Sequence, residues 1–396
     1  MFGTSGPVHA GSLNERPAHV VRHKRPRRNP AQPVRIVVMA TPSTAATGEP
    51  ADPCAACGLP AAIKPDSPPW DKWVSFGGTR LTASSPEESV PVYAARIPNG
   101  EAVLVANNGE EKANFDLEVK LGRGVYTVER WVLDSKTPET NGRIDRLESV
   151  VLGGRGTVEK PGWLLPGSLA VYKFTNRCLD VQSSFDAVRA AVRAMAGNHG
   201  GACRVIMVPL HECEAHLGSL SKGIRPEKRY DSLRYIHRAL LTVGHAQALA
   251  KNFRGEGRLP QEGAERLDAA LDHLQIALTD LSAGCLNLLP SLTVAEPEET
   301  HPDVRAVTVQ LANAGQQSIS LVRLGAEAPA GASVEPAERA MFDVLKPGET
   351  ARATFNVRLP TDSPTSELTA EFAWFAARSP AHLRLKSSLQ RHEPGG

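Results

Sequence analysis

The sequence predicts a multi-domain α+β protein: an antiparallel β-sandwich, a helical bundle, and an immunoglobulin-like β-sandwich. Apolar residues alternate in twos up to about Thr175 and again after about Asp303. Between Val181 and Leu288 they recur in threes and fours. A period of two marks a half-buried strand, and a period near 3.6 marks a helix with one buried face. Gly, Pro and Asn separate the alternating runs, as turns between short antiparallel strands require.

Residues 1–72 are rich in Pro, Ala, Ser, Thr and Gly, and much of the chain's proline lies there. Such a segment cannot bury enough apolar area to offset its conformational entropy, so it is expected to be disordered. Its basic run, Arg22 to Arg28, reads as a solvated tail. The apolar run from Val34 to Ala40 is short and interrupted by Arg35. It does not make a convincing secretory signal.

Residues 73–178 are expected to form the first sandwich. Val90–Ile97 and Ala102–Ala106 read as strands, the second closed by Asn107-Asn108-Gly109. Phe115, Leu117, Val119 and Leu121 share one face, with Asp116, Glu118 and Lys120 on the other. Val125–Leu133, Leu147–Leu152 and Ser168–Thr175 supply further strands, with turns at Thr137-Pro138 and Asn141-Gly142.

Residues 179–292 carry helical stripes. Val181, Phe185, Val188, Val192 and Met195 form the first, ended by Gly197-Asn198. Leu233, Ile236, Leu240 and Val243 form the second, on a helix starting near Pro226, which suits a first turn. Leu267, Leu271, Leu274, Leu278, Leu281, Cys285 and Leu288 form the third, a seam suited to packing on a neighbouring helix. The short link from Asn252 to Pro260 makes the second and third helices an antiparallel hairpin, and a weaker helix covers Cys203 to Leu217.

Residues 293–388 return to alternation after the linker Ala295–Glu299. Val307, Val309 and Leu311 alternate up to Asn313-Ala314-Gly315. Ile319, Leu321 and Leu324 follow less regularly. Ala353, Phe355, Val357 and Leu359 come after the turn Lys346-Pro347-Gly348-Glu349, and Leu368, Ala370, Phe372 and Trp374 make the last strand. Residues 389–396 are an expected disordered tail.

Lys and Arg number 45 against 43 Asp and Glu, a net charge of +2. A near-neutral chain has no global field to gather nucleic acid, and no specific nucleic-acid binding is expected. No apolar stretch approaches the roughly 20 residues that span a bilayer. Six Cys do not make a disulfide scaffold. Cys54-Ala55-Ala56-Cys57 has zinc-like spacing without nearby partner ligands. In an oxidising compartment Cys203–Cys213 or Cys178–Cys285 are the candidate pairs; in a reducing one these thiols behave as small hydrophobes.

Two segments resemble known modules. Val307-Thr308-Val309, Asn313-Ala314-Gly315, Leu345 to Thr350, Ala353 to Val357 and Pro360 resemble a NEW3-type (NPCBM-associated), immunoglobulin-like module. Such modules accompany the catalytic domains of α-galactosidases and other bacterial glycosidases. Val105 to Asn108, Tyr126 to Arg130 and Leu165 to Phe174 are similar to the β-sandwich that closes many glycosidase chains after their barrel. The resemblance implies an extracellular setting, which leaves the localisation open given the weak leader.

The densest group of metal-ligand residue types is His211-Glu212-Cys213-Glu214-Ala215-His216. Zinc-protease helices place two His four apart, with Glu as the base. Here the spacing is five, which rotates a helix by about 500° and leaves the rings roughly 140° apart. A metal site at His211, Glu212 and His216 therefore needs irregular backbone or help from His199 and Cys203. Glu87-Glu88, Glu110-Glu111 and Glu298-Glu299 read as solvated turns, since glycoside hydrolysis needs carboxylates facing across a cleft about 5–9 Å wide. Gly153-Gly154-Arg155-Gly156 reads as a hairpin turn, and no Gly-x-Ser-x-Gly elbow is present. Trp131 and Trp374 are expected in the core. Trp163 falls in a loop leading into a strand, where an exposed indole would be a ligand-binding surface for a sugar ring.

The expected function is that of a non-catalytic accessory or interaction protein of the type associated with carbohydrate-active enzymes. It needs no cofactor, and its partners are a polysaccharide or a carbohydrate-active enzyme. The alternatives are a hydrolase with an atypical metal site at His211, Glu212 and His216, and an intracellular scaffold.

Overall fold

The computed structural model describes residues 33–42, 79–133, 145–154, 156–295, 303–328, 331–359, 365–376 and 379–390. The turns expected at 137–138 and 141–142, Cys54, Cys57, Pro360 and the linker from 296 lie outside these residues. Mixed α+β architecture follows the change of period.

The first sandwich contains β1 (Val34–Pro42), β2 (Thr79–Ser84), β3 (Val92–Ile97), β4 (Gly100–Ala106), β5 (Ala113–Leu121), β6 (Gly124–Leu133), β7 (Asp145–Leu152), β8 (Gly156–Leu164) and β9 (Leu169–Asn176). They hydrogen-bond in the order β7-β6-β9-β4-β3-β2-β1-β5-β8. The sheet folds over itself, so that β2-β1-β5-β8 faces β3-β4-β9-β6. Ile36, Phe115, Leu117 and Val119 meet Val103, Val105, Val128 and Phe174 in the core between them. Phe115 and Tyr172 touch edge to face across the two layers, with ring centroids 6.3 Å apart.

β1 corrects the expectation that all of 1–72 lacks structure. Val34, Ile36 and Val38 are buried, while Arg35 points out and pairs with Glu118 at 2.6 Å. The arginine that interrupts the run as a leader is the outward residue of an alternating strand. A second correction concerns Gly153-Gly154. They join β7 to β8, which lie at opposite ends of the strand order. The turn crosses between layers and closes no hairpin.

The second sandwich has two sheets. One contains β10 (Leu288–Val294), β11 (Val304–Asn313), β15 (Thr350–Arg358) and β13 (Ser333–Glu335), in that order. The other contains β14 (Ala340–Leu345), β12 (Ile319–Glu327), β16 (Thr365–Ala376) and β17 (Ser379–Gln390), in that order. Leu288 departs from the expected helical stripe, and the strand it begins takes in the last residues of the expected bundle unit: the helix stops at Leu286. β17 extends beyond the strand expected to be last and takes in residues 389–390 of the expected tail. Pro380 at its start argues against an interior strand, but β17 is an edge, where proline is tolerated.

Both sandwiches are pinned by the same asparagine corner. Asn107 Nδ2 donates to the carbonyls of Glu111 (2.9 Å) and Leu164 (3.1 Å), and its Oδ1 accepts from Gly109 N–H (3.0 Å). Asn313 Nδ2 donates to Gln317 (2.8 Å) and Leu345 (3.0 Å), and its Oδ1 accepts from Gly315 N–H (3.1 Å). The backbones match as well. Asn107 N–H donates to Ser168 and its carbonyl accepts from Gly167; Asn313 does the same with Glu349 and Gly348. Gly167 and Gly348 both have positive φ, 69° and 82°, which a turn of this kind assigns to glycine. Aligned on this corner, β3-β4-β9-β6 takes the places of β10-β11-β15-β13, and β8-β5-β1-β2 takes those of β14-β12-β16-β17.

Between the sandwiches stand α1 (Arg177–Gly223), α2 (Arg229–Gly255) and α3 (Gln261–Leu286). The α1 backbone breaks at His199 (φ −124°, ψ 31°). Arg189 and Glu214, 25 residues apart, pair at 2.9 Å. A straight helix would hold them about 37 Å apart, so α1 folds back into two antiparallel arms. The break falls at the Gly197-Asn198 stop, and the second arm includes the weaker Cys203–Leu217 helix. Arg254 pairs with Asp268 at 2.7 Å and Gln247 reaches Asp272 at 2.8 Å, which sets α2 and α3 antiparallel. Cys203 and Cys213 lie on one arm, about 15 Å apart along its axis, beyond the ~7 Å that a disulfide spans. All four described Cys are free thiols.

Asn287 joins the three parts. It takes a left-handed conformation (φ 56°, ψ 47°) and ends α3. Its Oδ1 accepts from Ser149 N–H of β7 at 2.9 Å, its Nδ2 donates to Ala314 O at 3.2 Å, and its carbonyl accepts from Ala314 N–H at 3.1 Å. Asn287→Ala is expected to cost about 2–3 kcal/mol in urea unfolding, from two lost hydrogen bonds and left-handed strain. Asn287→Gly should recover the strain alone.

Candidate functional site

The open outer face of β2-β1-β5-β8 is the best candidate for a binding surface. Its inward residues, Ile36, Val38, Phe115, Leu117 and Val119, fill the core, so the alternate residues face out. Trp163 stands opposite Asn114, Pro161 opposite Asp116, and Glu159 opposite Glu118. On the other side of β5, Arg35 stands opposite Asp116 and Met39 opposite Lys120. The result is a polar sheet face with an indole near one end.

Trp163 lies within β8, one residue from its end, and not in a preceding loop as the sequence suggests. Its side chain is 49% exposed. Pro161 and Gly162 do not end the strand because β8 is an edge strand. Gly162 is needed there: a Cβ would lie 2.4 Å from Phe115 Cζ and 2.8 Å from the Tyr172 hydroxyl. Arg130 Nη2 donates to the Trp163 carbonyl at 3.2 Å and so holds the backbone beneath the indole. Lys112 Nζ lies 4.2 Å from the ring centroid. A cation over an indole is attracted by the ring's quadrupole. The same ammonium can donate to a hydroxyl or carboxylate placed beside the ring. Burial raises the Tyr172 phenol above its ordinary range, opposed by Arg130. Tyr172 remains a neutral hydroxyl behind the strand.

The metal candidates lie elsewhere, on the second arm of α1. His211 and Glu212 are exposed and His216 is half-buried. Burial, and then Arg238, lower the His216 pKa, against the opposing pull of Glu212. His199 is engaged with the Arg258 carbonyl at 3.0 Å. Cys213 is buried, and burial pushes its thiol up to about 11. Among the described residues no group of three or more His, Cys, Asp and Glu is placed to hold a metal ion.

A charged cluster that the sequence does not reveal surrounds Glu371 on β16. Glu371 is 2% exposed and pairs with Arg339, with Arg384 at 3.0 Å and with His382 at 3.4 Å. Burial raises its pKa, but a hydrogen bond with Glu327 and the charges of Arg339 and His382 leave it lowered overall. These residues are spread over several strands and a loop, so spacing in sequence gives no sign of them. Their mutual pairing gives the cluster a structural role. Trp131 and Trp374 are core residues, as expected.

Comparison with known proteins places one segment. The family model for the NPCBM-associated, NEW3 domain of alpha-galactosidase matches residues 303–374, which lie in the second sandwich. Among solved structures, a GH30 endoxylanase from Clostridium papyrosolvens C71 is 21% identical over 26% of this chain and 25% of its own, with a TM-score of 0.21. A glucosidase from Croceicoccus marinus is 14% identical over 25% of this chain and 28% of its own, with a TM-score of 0.20. A FixG-related protein from Vibrio parahaemolyticus is 10% identical over 25% of this chain and 93% of its own, with a TM-score of 0.20. The chain spans about a quarter of the length of the two glycosidases. No curated protein matches it. Among the described residues no helix is long and apolar enough to cross a membrane.

Proposed function

We propose that this chain is a non-catalytic accessory or interaction protein of the kind that works beside carbohydrate-active enzymes. The NEW3 match at 303–374 carries the reading. In this reading the chain has three units: a sandwich, a helical bundle and an immunoglobulin-like sandwich. The first sandwich is the binding module. Its outer face is polar and carries the exposed Trp163 ring, which suits stacking on the C–H face of a pyranose. The partner is a polysaccharide or the enzyme that acts on it.

Affinity electrophoresis through gels cast with soluble polysaccharides tests this. Retardation by at least one polysaccharide is expected, and Trp163→Ala should abolish it. Because the ring is half-exposed, that substitution should change stability by less than about 1 kcal/mol. Equal retardation of wild type and variant would rule out Trp163 as the binding ring. Hydrolysis of aryl glycosides by the purified chain would overturn the non-catalytic reading.

A further inference from the structure

β1 is a strand from the far N-terminal side that fills a gap in the first sandwich. When the two sandwiches are aligned on their asparagine corners, the place beside β5 corresponds to the place beside β12. In the second sandwich that place holds β16, which comes after β15 in the chain and runs antiparallel to β12. In the first sandwich the chain leaves β9 at Asn176 and enters α1 directly, with Asn176 Oδ1 accepting the Cys178 N–H at 3.1 Å. No strand following β9 can fill the place. β1 fills it from the other direction and runs parallel to β5, from Val34 opposite Phe115 to Met39 opposite Lys120.

The way β1 is tethered also matters. Pro42 stands opposite Leu81 of β2. Residues paired in this way lie about 5 Å apart, a gap that a turn of a few residues closes. The chain instead spends residues 43–78 on it. The connection is far longer than that gap requires. What seats β1 is its own chemistry: Val34, Ile36 and Val38 in the core, Arg35 on Glu118, and backbone bonds to β2 and β5. β2 is anchored to β3 at Thr79 and Arg80, and its next residues, Leu81 to Ser84, pair with β1.

We infer that the gap between β2 and β5 is a strand-binding groove, occupied by the chain's own residues 34–42 and open to the same segment of a second copy. Pairing through main-chain bonds with alternate side chains in pockets is a general mode of peptide recognition. Exchange of this strand would link two copies through their first sandwiches and place two Trp163 faces in one assembly.

The test uses the full chain with a protease site inserted between 43 and 78. After cleavage the N-terminal piece should stay bound through gel filtration. After brief exposure to urea below the unfolding midpoint, the cleaved protein should take up a labelled peptide of residues 33–42, approaching one per chain. The same peptide with Ile36→Asp should be taken up at least tenfold less. Uptake of neither peptide, or equal uptake of both, would overturn the inference. Loss of the N-terminal piece on cleavage with the sandwich still folded would overturn it too. Failure here leaves the polysaccharide reading intact, because that reading is judged by retardation in the gel.

Discussion

Asn313→Ala is expected to destabilise the second sandwich by about 3 kcal/mol, and Asn107→Ala to do the same to the first. Each side chain is 1% exposed and makes three hydrogen bonds to main-chain groups. Truncation leaves two carbonyls and one glycine N–H without their partner, and an unsatisfied buried group costs about 1–3 kcal/mol. Asn→Asp at either position should be worse than Asn→Ala. It replaces the donating amide by a carboxylate oxygen that faces two carbonyl oxygens. Urea unfolding of the four single variants measures this. Similar losses at both positions would support a shared corner. A neutral Asn107→Ala beside a costly Asn313→Ala would show that the first corner carries no comparable load.

Gly315→Ala is expected to destabilise the protein by about 3 kcal/mol or more. A Cβ there would lie 2.0 Å from the Leu286 carbonyl oxygen and 3.1 Å from its carbon. These are backbone atoms at the end of α3 and cannot rotate away as a side chain can. The clash falls where Asn287 ties the helices to both sandwiches. Gly109 occupies the same position in the first corner, but its Cβ would meet only side-chain atoms, none closer than 3.2 Å. Gly109→Ala should therefore cost under about 1 kcal/mol. Thermal unfolding of the pair separates the effect of the turn from that of the helix end packed on it.

The change of period makes the two sandwiches and the helices legible, because burial of one face imposes that period. The asparagine corners are visible in the sequence as Asn-x-Gly and Pro-Gly pairs. Their bonding is not, because Asn107 and Leu164, or Asn313 and Leu345, meet only after the strands pair. β1 escapes a sequence reading because its proline-rich context outweighs its alternation, and its partners β2 and β5 lie far along the chain. The α3 boundary is misleading at Leu288. That residue continues the helical stripe, yet Asn287 takes the left-handed turn that ends the helix and starts β10. At the candidate site, the sequence identifies Trp163 but not its exposure. Exposure depends on which face of β8 packs on the core, and Lys112 and Arg130 approach the indole and its backbone only in the folded sandwich.

The proposed function is tested most directly by depletion of the chain from solution by a panel of insoluble polysaccharides, with wild type run beside Trp163→Ala. Wild type should be depleted saturably by at least one polysaccharide, and a variant that unfolds at the same urea midpoint should bind at least tenfold more weakly. Wild type left wholly in solution by every polysaccharide, or depleted no more strongly than the variant, would contradict the proposal.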